Sequence, residues 1–155
     1  TVLVLKLVEQ LLRTNVDFDA ARAAAKTYNP VEWEENIRIA YGPAADGVIA
    51  MEAKSQKNAT IDRLKRIDTM QARWGEITAL LKTLPSSQRI MGLLRSLESP
   101  CLPSEIAVDG TMLKNTFLYC KEVRARYTIL QMVWDLGLLD RLSDNVISDL
   151  LDEKD

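Results

Sequence analysis

Apolar residues recur at intervals of three and four along nearly the whole chain, and no segment sustains an alternation of two. The first spacing places side chains on one face of a helix, so the pattern predicts an all-α protein. Residues 1–13 are apolar on two faces: Val2, Leu5, Val8 and Leu12 trace one, Leu3, Leu7 and Leu11 the other. A helix of that kind is buried on several sides, and some of its packing partners are expected to lie outside this chain. Asp17 or Asp19 caps a short alanine-rich helix to Lys26. Asn29 followed by Pro30 opens a helix over 30–41, with Val31, Ile37 or Arg38, and Tyr41 inward and Trp33 joining them. Gly42-Pro43 starts another over 43–56, whose narrow side, Ala44, Gly47, Val48 and Met51, leaves room for a neighbouring backbone.

The longest periodic run, Asn58 to Leu84, carries Ile61, Leu64, Ile67, Met70, Trp74, Ile77, Leu81 and Leu84. It reads as one helix of about seven turns, with Asp62 and Arg66 paired on its surface and Gly75 bending it or admitting a neighbour. A helix over 87–97 turns Ile90, Leu93, Leu94 and Leu97 inward. After the SPCLPSE loop and a brief turn capped by Ser104, Asp109 caps a helix whose stripe runs Leu113, Phe117, Cys120, Arg124. Thr128 restarts the chain as a helix that Gly137 ends in the left-handed conformation. A last helix begins at Asp140 or Ser143 and reaches Leu151, and the DEKD tail frays. Seven to nine helices packed as orthogonal and antiparallel neighbours form one domain over 1–155, with no repeat of constant period.

Composition narrows the chemistry. The 155 residues carry a formal charge of −2 with cations and anions interspersed, which predicts neither a nucleic-acid partner nor a membrane surface. Residues 1–12 are too few, and too interrupted by Lys6 and Glu9, to span a bilayer. There is no histidine, which removes imidazole as base or metal ligand. Cys101 and Cys120 lie outside any CxxC spacing and read as reduced thiols of a cytoplasmic protein, with a disulfide between them left open.

The polar joint Arg124, Arg126 and Tyr127, between two apolar helices, is the candidate chemistry. Both guanidinium forks suit a substrate phosphate. The competing reading pairs Arg126 with Glu122 on the surface and Arg124 with a buried carboxylate. Lys121 is expected in solvent, and Tyr127 as a packed ring bonded to backbone. Cys120 is expected in the core and Cys101 nearer the surface. Trp33, Trp74 and Trp134 read as packing residues, and Asp140, Asp144 and Asp149 as caps and solvent charges. YGPAADG lacks the strand and repeated glycines of a phosphate loop.

VRARYTIL, followed by a leucine-rich helix and DLGLL, resembles the C-terminal end of sn-glycerol-1-phosphate dehydrogenases. NPVEWEENIRIAYGPAA and the tryptophan of ARWGEI are similar to the bacterial branch, and the resemblance covers nearly all of the chain. It implies a helical domain like the C-terminal half of dehydroquinate synthases and glycerol dehydrogenases. The parent enzyme would also have an N-terminal α/β domain binding NAD or NADP. It would reduce dihydroxyacetone phosphate reversibly to sn-glycerol 1-phosphate in phospholipid metabolism. A zinc or nickel ion held by one aspartate and two histidines would polarise the substrate oxygen. With no histidine those ligands have no counterpart here, so the chain is expected to hold neither metal nor nucleotide, to contain no catalytic residue and to be inactive alone. Arg124 and Arg126 remain the substrate-binding candidates. The implied partners are the nucleotide-binding domain, a small phosphorylated substrate and a second copy of the chain. Two alternatives stand beside this reading: a stand-alone helical interaction module, and a small metal-independent lyase or synthase using Arg124 with a carboxylate.

Overall fold

A computed structural model describes residues 1–152, and over that span the chain is an all-α bundle of ten helices with no strand. The helices are α1 (Val2–Leu12), α2 (Phe18–Lys26), α3 (Pro30–Tyr41), α4 (Ala45–Ser55), α5 (Thr60–Ala72), α6 (Trp74–Leu81), α7 (Ser87–Ser96), α8 (Gly110–Tyr119), α9 (Ile129–Asp135) and α10 (Leu139–Asp152). The expected fraying of the DEKD tail falls, from residue 153 on, outside the described residues. No helix among the described residues is long and apolar enough to cross a membrane.

The helix that is apolar almost all round occupies the centre. α1 packs against α6, α7, α9 and α10, and Leu7, Val8 and Leu11 are buried. Partners for both of its apolar faces are present in this chain, and Leu3 and Leu12 are only partly covered. A second, smaller cluster joins Ile37 of α3 to Ala45 and Val48 of α4, with Trp33, Tyr41 and Tyr119 against it. The Tyr41 hydroxyl donates to the Tyr119 carbonyl at 2.7 Å, which ties the α3–α4 pair to the end of α8.

Among the described residues, five of the ten helix starts are capped by a side chain. Side-chain oxygens of Asp17, Asn29, Ser86, Asp109 and Thr128 accept hydrogen bonds from backbone N–H groups of the first turns of α2, α3, α7, α8 and α9. Helix α9 ends in a Schellman motif: Leu138 N–H donates to Val133 O at 3.0 Å and Gly137 N–H to Trp134 O at 2.9 Å. Helix α10 starts at Leu139, earlier than either expected cap.

The run from 58 to 84 is two helices. Arg73 leaves the helical region (φ −118°, ψ 20°), and the bend lies two residues before Gly75. Breaking there lets α5 pack on α2 and α6 on α1, and it sets Trp74 edge-on to Phe18 with ring centres 5.7 Å apart. Ile61, Leu84, Leu93, Leu97 and Val31, expected inside, are exposed. Ala44 and Gly47 are also exposed, and nothing lies within 4 Å of where a Gly47 Cβ would sit, so α4 buries Ala45 and Val48 instead. Helix α8 stops at Tyr119 and gives way to a 3-10 turn, Cys120–Glu122. The stripe therefore ends at Phe117, and Cys120 and Arg124 are exposed. Cys101 is half-buried against the main core, the reverse of the expected order, and both thiols are free.

Gly137 has φ +70°, and a Cβ there would meet the Ala24 Cβ at 3.1 Å. A side chain in this left-handed conformation costs about 1–2 kcal/mol. Gly137→Ala is expected to lower the unfolding free energy by at least that amount, read from the urea midpoint at unchanged slope.

Candidate functional site

Two carboxylates that belong to the joint region are carried inside. The 3-10 turn after α8 rotates Lys121 and Glu122 inward, leaving them 4% and 2% exposed. Glu122 accepts from the Lys121 ammonium, from Lys57 Nζ at 3.0 Å, from Asn58 Nδ2 at 3.1 Å and from Trp33 Nε1 at 3.2 Å. Lys57 Nζ also donates to the carbonyls of Lys121 and Arg124. On α9, fully buried Asp135 accepts from Arg66 through Nε at 2.6 Å and a terminal nitrogen at 2.9 Å, and from the Tyr127 hydroxyl at 2.9 Å. Arg63 Nε stands 3.7 Å from the same carboxylate. Gln131 links the two centres, donating to Asn58 Oδ1 at 3.2 Å and Asp135 Oδ1 at 3.5 Å.

Trp134 roofs this network. The Arg63 guanidinium lies 3.8 Å and Lys121 Nζ 4.2 Å from its ring centre, both within cation–π range, and Tyr28 meets it edge-on at 5.6 Å. Arg63 also donates to the Trp134 carbonyl at 2.6 Å. A cavity of about 370 Å³ opens here, bounded by Tyr28, Trp33, Arg63, Lys121, Glu122 and Trp134.

Electrostatics follow from burial and pairing. Burial pushes the Lys121 ammonium below its ordinary pKa, although Glu122 beside it pushes the other way. Burial would raise the Glu122 carboxyl, but the Lys121 and Lys57 ammoniums more than offset this and hold it below the usual range. Burial also lowers Arg63, which as a guanidinium stays charged at neutral pH. Glu122 and Asp135, saturated with donors, are poor general bases. Arg63 and Lys121 offer an incoming molecule donors and positive charge, beside Glu32, Glu122 and Asp140 in the same lining.

The residues singled out from sequence sit elsewhere. Arg124 and Arg126 are exposed and do not line the cavity, and neither side chain has a hydrogen-bond or ion-pair partner among the described residues. The pairings expected for them fail because Glu122 has turned inward to the lysines. Lys121 is buried rather than solvated, and the half-exposed Tyr127 bonds a carboxylate rather than backbone. Arg66 turns away from Asp62 to reach Asp135, and Asp62 meets Lys65 at 3.4 Å. Trp33, Trp74 and Trp134 are packing residues as expected. Asp140 and Asp144 are solvent-facing partners of Lys114, and the Asp149 carboxylate accepts from Gln10.

Arg63, Lys57, Asn58, Gln131 and Asp135 escaped the reading from sequence. One signal was available: Arg63 falls on the Ile67, Met70, Trp74 register, an arginine inside an apolar stripe. Gln131 and Asp135 are likewise polar positions among Met132, Val133 and Leu136. The aspartate and two histidines of the resembled family have no counterpart, and no three His, Cys, Asp or Glu side chains converge among the described residues. The donor set does not fit the ion.

Removing the charge of Asp135 strands the buried Arg63 guanidinium and the partly buried Arg66, so Asp135→Asn is expected to cost about 3–5 kcal/mol by denaturant unfolding. Glu122 ionises at lower pH in the folded chain than at its ordinary 4.5. Its contribution is therefore complete above that value and is lost as pH falls through the lower folded value. Glu122→Gln is expected to flatten that part of the acid-unfolding curve. No family model, curated protein or solved structure matches this chain.

Proposed function

We propose that this chain is the helical half of an NAD(P)-dependent sn-glycerol-1-phosphate dehydrogenase, with the fold of a dehydroquinate synthase-like C-terminal domain. Hydride carrier and metal would be held by a nucleotide-binding domain and histidines that this chain does not contain. One observation carries the reading. The stretch that carries the resemblance, VRARYTIL through DLGLL over 123–139, most specific around Arg124, Arg126 and Tyr127, supplies Tyr127 and Asp135 to the buried network and Gly137 to the Schellman turn. The letters that create the resemblance thus belong to the residues that build the fold. Arg124 and Arg126, exposed and unpaired beside that network, would be the substrate-phosphate ligands on this domain's side of the cleft. A second copy of the chain would complete a homo-oligomer.

A second reading, the stand-alone helical interaction module, draws on Leu80, Leu84, Leu93 and Leu97, which expose apolar surface on α6, α7 and the turns that follow them.

The 155-residue chain, incubated with dihydroxyacetone phosphate, NADH or NADPH and zinc or nickel, is expected to show no turnover. The polypeptide from the complete reading frame is expected to oxidise the nucleotide. In that polypeptide, Arg124→Ala combined with Arg126→Ala should raise KM for the phosphorylated substrate about 10-fold or more, as loss of charged hydrogen bonds does. Turnover by the chain alone, or a complete reading frame without a nucleotide-binding domain, would overturn the proposal.

A further inference from the structure

We infer that the cavity beneath Trp134 is a binding site for a small organic oxyanion, a carboxylate or phosphate monoester, gripped by Arg63 and Lys121. The inference stands whether or not the chain belongs to a dehydrogenase, and it concerns different residues from the exposed arginines of the joint.

Charge balance is the first observation. Four cations face two carboxylates in the buried network: Lys57 and Lys121 share Glu122, and Arg63 and Arg66 share Asp135. A third carboxylate, the half-buried Glu52, accepts from the Asn58 N–H at 2.7 Å and is itself pushed toward the neutral form by burial. Buried charge without a counter-charge is strongly disfavoured. Lys57 and Arg66 keep 11% and 23% of their side chains in water, where solvent screens them. Arg63 and Lys121 keep 4% and 3%, and these are the two cations that line the cavity.

The second observation is an unused donor. Arg63 Nε is buried and makes no hydrogen bond, its nearest carboxylate, Asp135, standing 3.7 Å away, while the terminal nitrogens of the same guanidinium donate to the carbonyls of Ala24, Trp134 and Asp135. Buried donors are ordinarily paired, so Arg63 is under-satisfied by the protein alone. An oxyanion beside Arg63 and Lys121 would add the negative charge that two carboxylates shared among four cations leave short.

Shape agrees. The volume of about 370 Å³ falls in the range of small-molecule sites, and the rings of Tyr28, Trp33 and Trp134 provide walls for a hydrocarbon body. Two further carboxylates reach the lining. Glu32 lies in the first turn of α3, where the helix dipole favours it, and Asp140 is held by Lys114 at 2.9 Å. An oxyanion also opposes the burial that depresses Lys121, so binding should be accompanied by proton uptake at alkaline pH.

The test is titration of the 155-residue chain with inorganic phosphate in one arm and acetate in the other, against chloride at matched ionic strength. Calorimetry and the thermal midpoint are the readouts. A saturable response to phosphate, acetate or both, beyond chloride, is expected, and the responding arm names the ligand class. Lys121→Met leaves Glu122 bonded to Lys57, Asn58 and Trp33 and should weaken binding about 10-fold or more. Asn36→Phe fills the cavity from its α3 wall, leaves the network intact and should abolish the response. If Lys121→Met fails to fold, Asn36→Phe decides. No response beyond chloride in the unaltered chain, or an undiminished response in Asn36→Phe, would overturn the inference. Because the assay reads binding and no turnover, its failure leaves the dehydrogenase proposal untouched, and the reverse holds too.

Discussion

The fold depends on keeping Asp135 and Glu122 ionised where water does not reach. Each carboxylate is surrounded by cations and neutral donors, and those donors come from distant parts of the chain: Trp33 on α3, Lys57 and Asn58 after α4, Arg63 and Arg66 on α5, Tyr127 before α9. Removing one partner leaves its neighbours charged and buried, so the elements are fixed relative to one another as a set. A purely apolar joint would tolerate sliding of α5 along α9. A two-pronged guanidinium on a carboxylate admits only one register.

How much of this was legible from sequence follows from the range of each interaction. Several helix starts were, because a cap is a contact within three residues: Asp17, Asn29, Asp109 and Thr128 all act locally. Gly137 was, because a left-handed residue is a local conformation. The break at Arg73 was not, because nothing in the periodicity of 58–84 says that its halves face different neighbours. The exposure of Ile61, Leu93 and Leu97 was hidden for the same reason, since spacing defines a face and not what covers it.

The site was half legible. The joint between α8 and α9 does carry buried charge, yet the arginines that stand out there, Arg124 and Arg126, are exposed. The helical register assumed to run through Cys120 to Arg124 fails at Tyr119. A tighter turn then exchanges inside for outside, carrying Lys121 and Glu122 in and Cys120 out. Arg63 obeyed the logic applied to Arg124, a cation continuing an apolar stripe. There the logic holds, because α5 remains helical through that position.

The central place of α1 shapes how this chain comes into being. Its main neighbours, α7, α9 and α10, lie far along the chain from it, whereas the α3–α4 pair is formed by adjacent stretches. This apolar helix is therefore made well before the helices that house it, and contacts of large sequence separation close slowly. During that interval it is the natural target of chaperones that hold greasy nascent helices, and a ribosome stalled before α10 would release a sticky polypeptide.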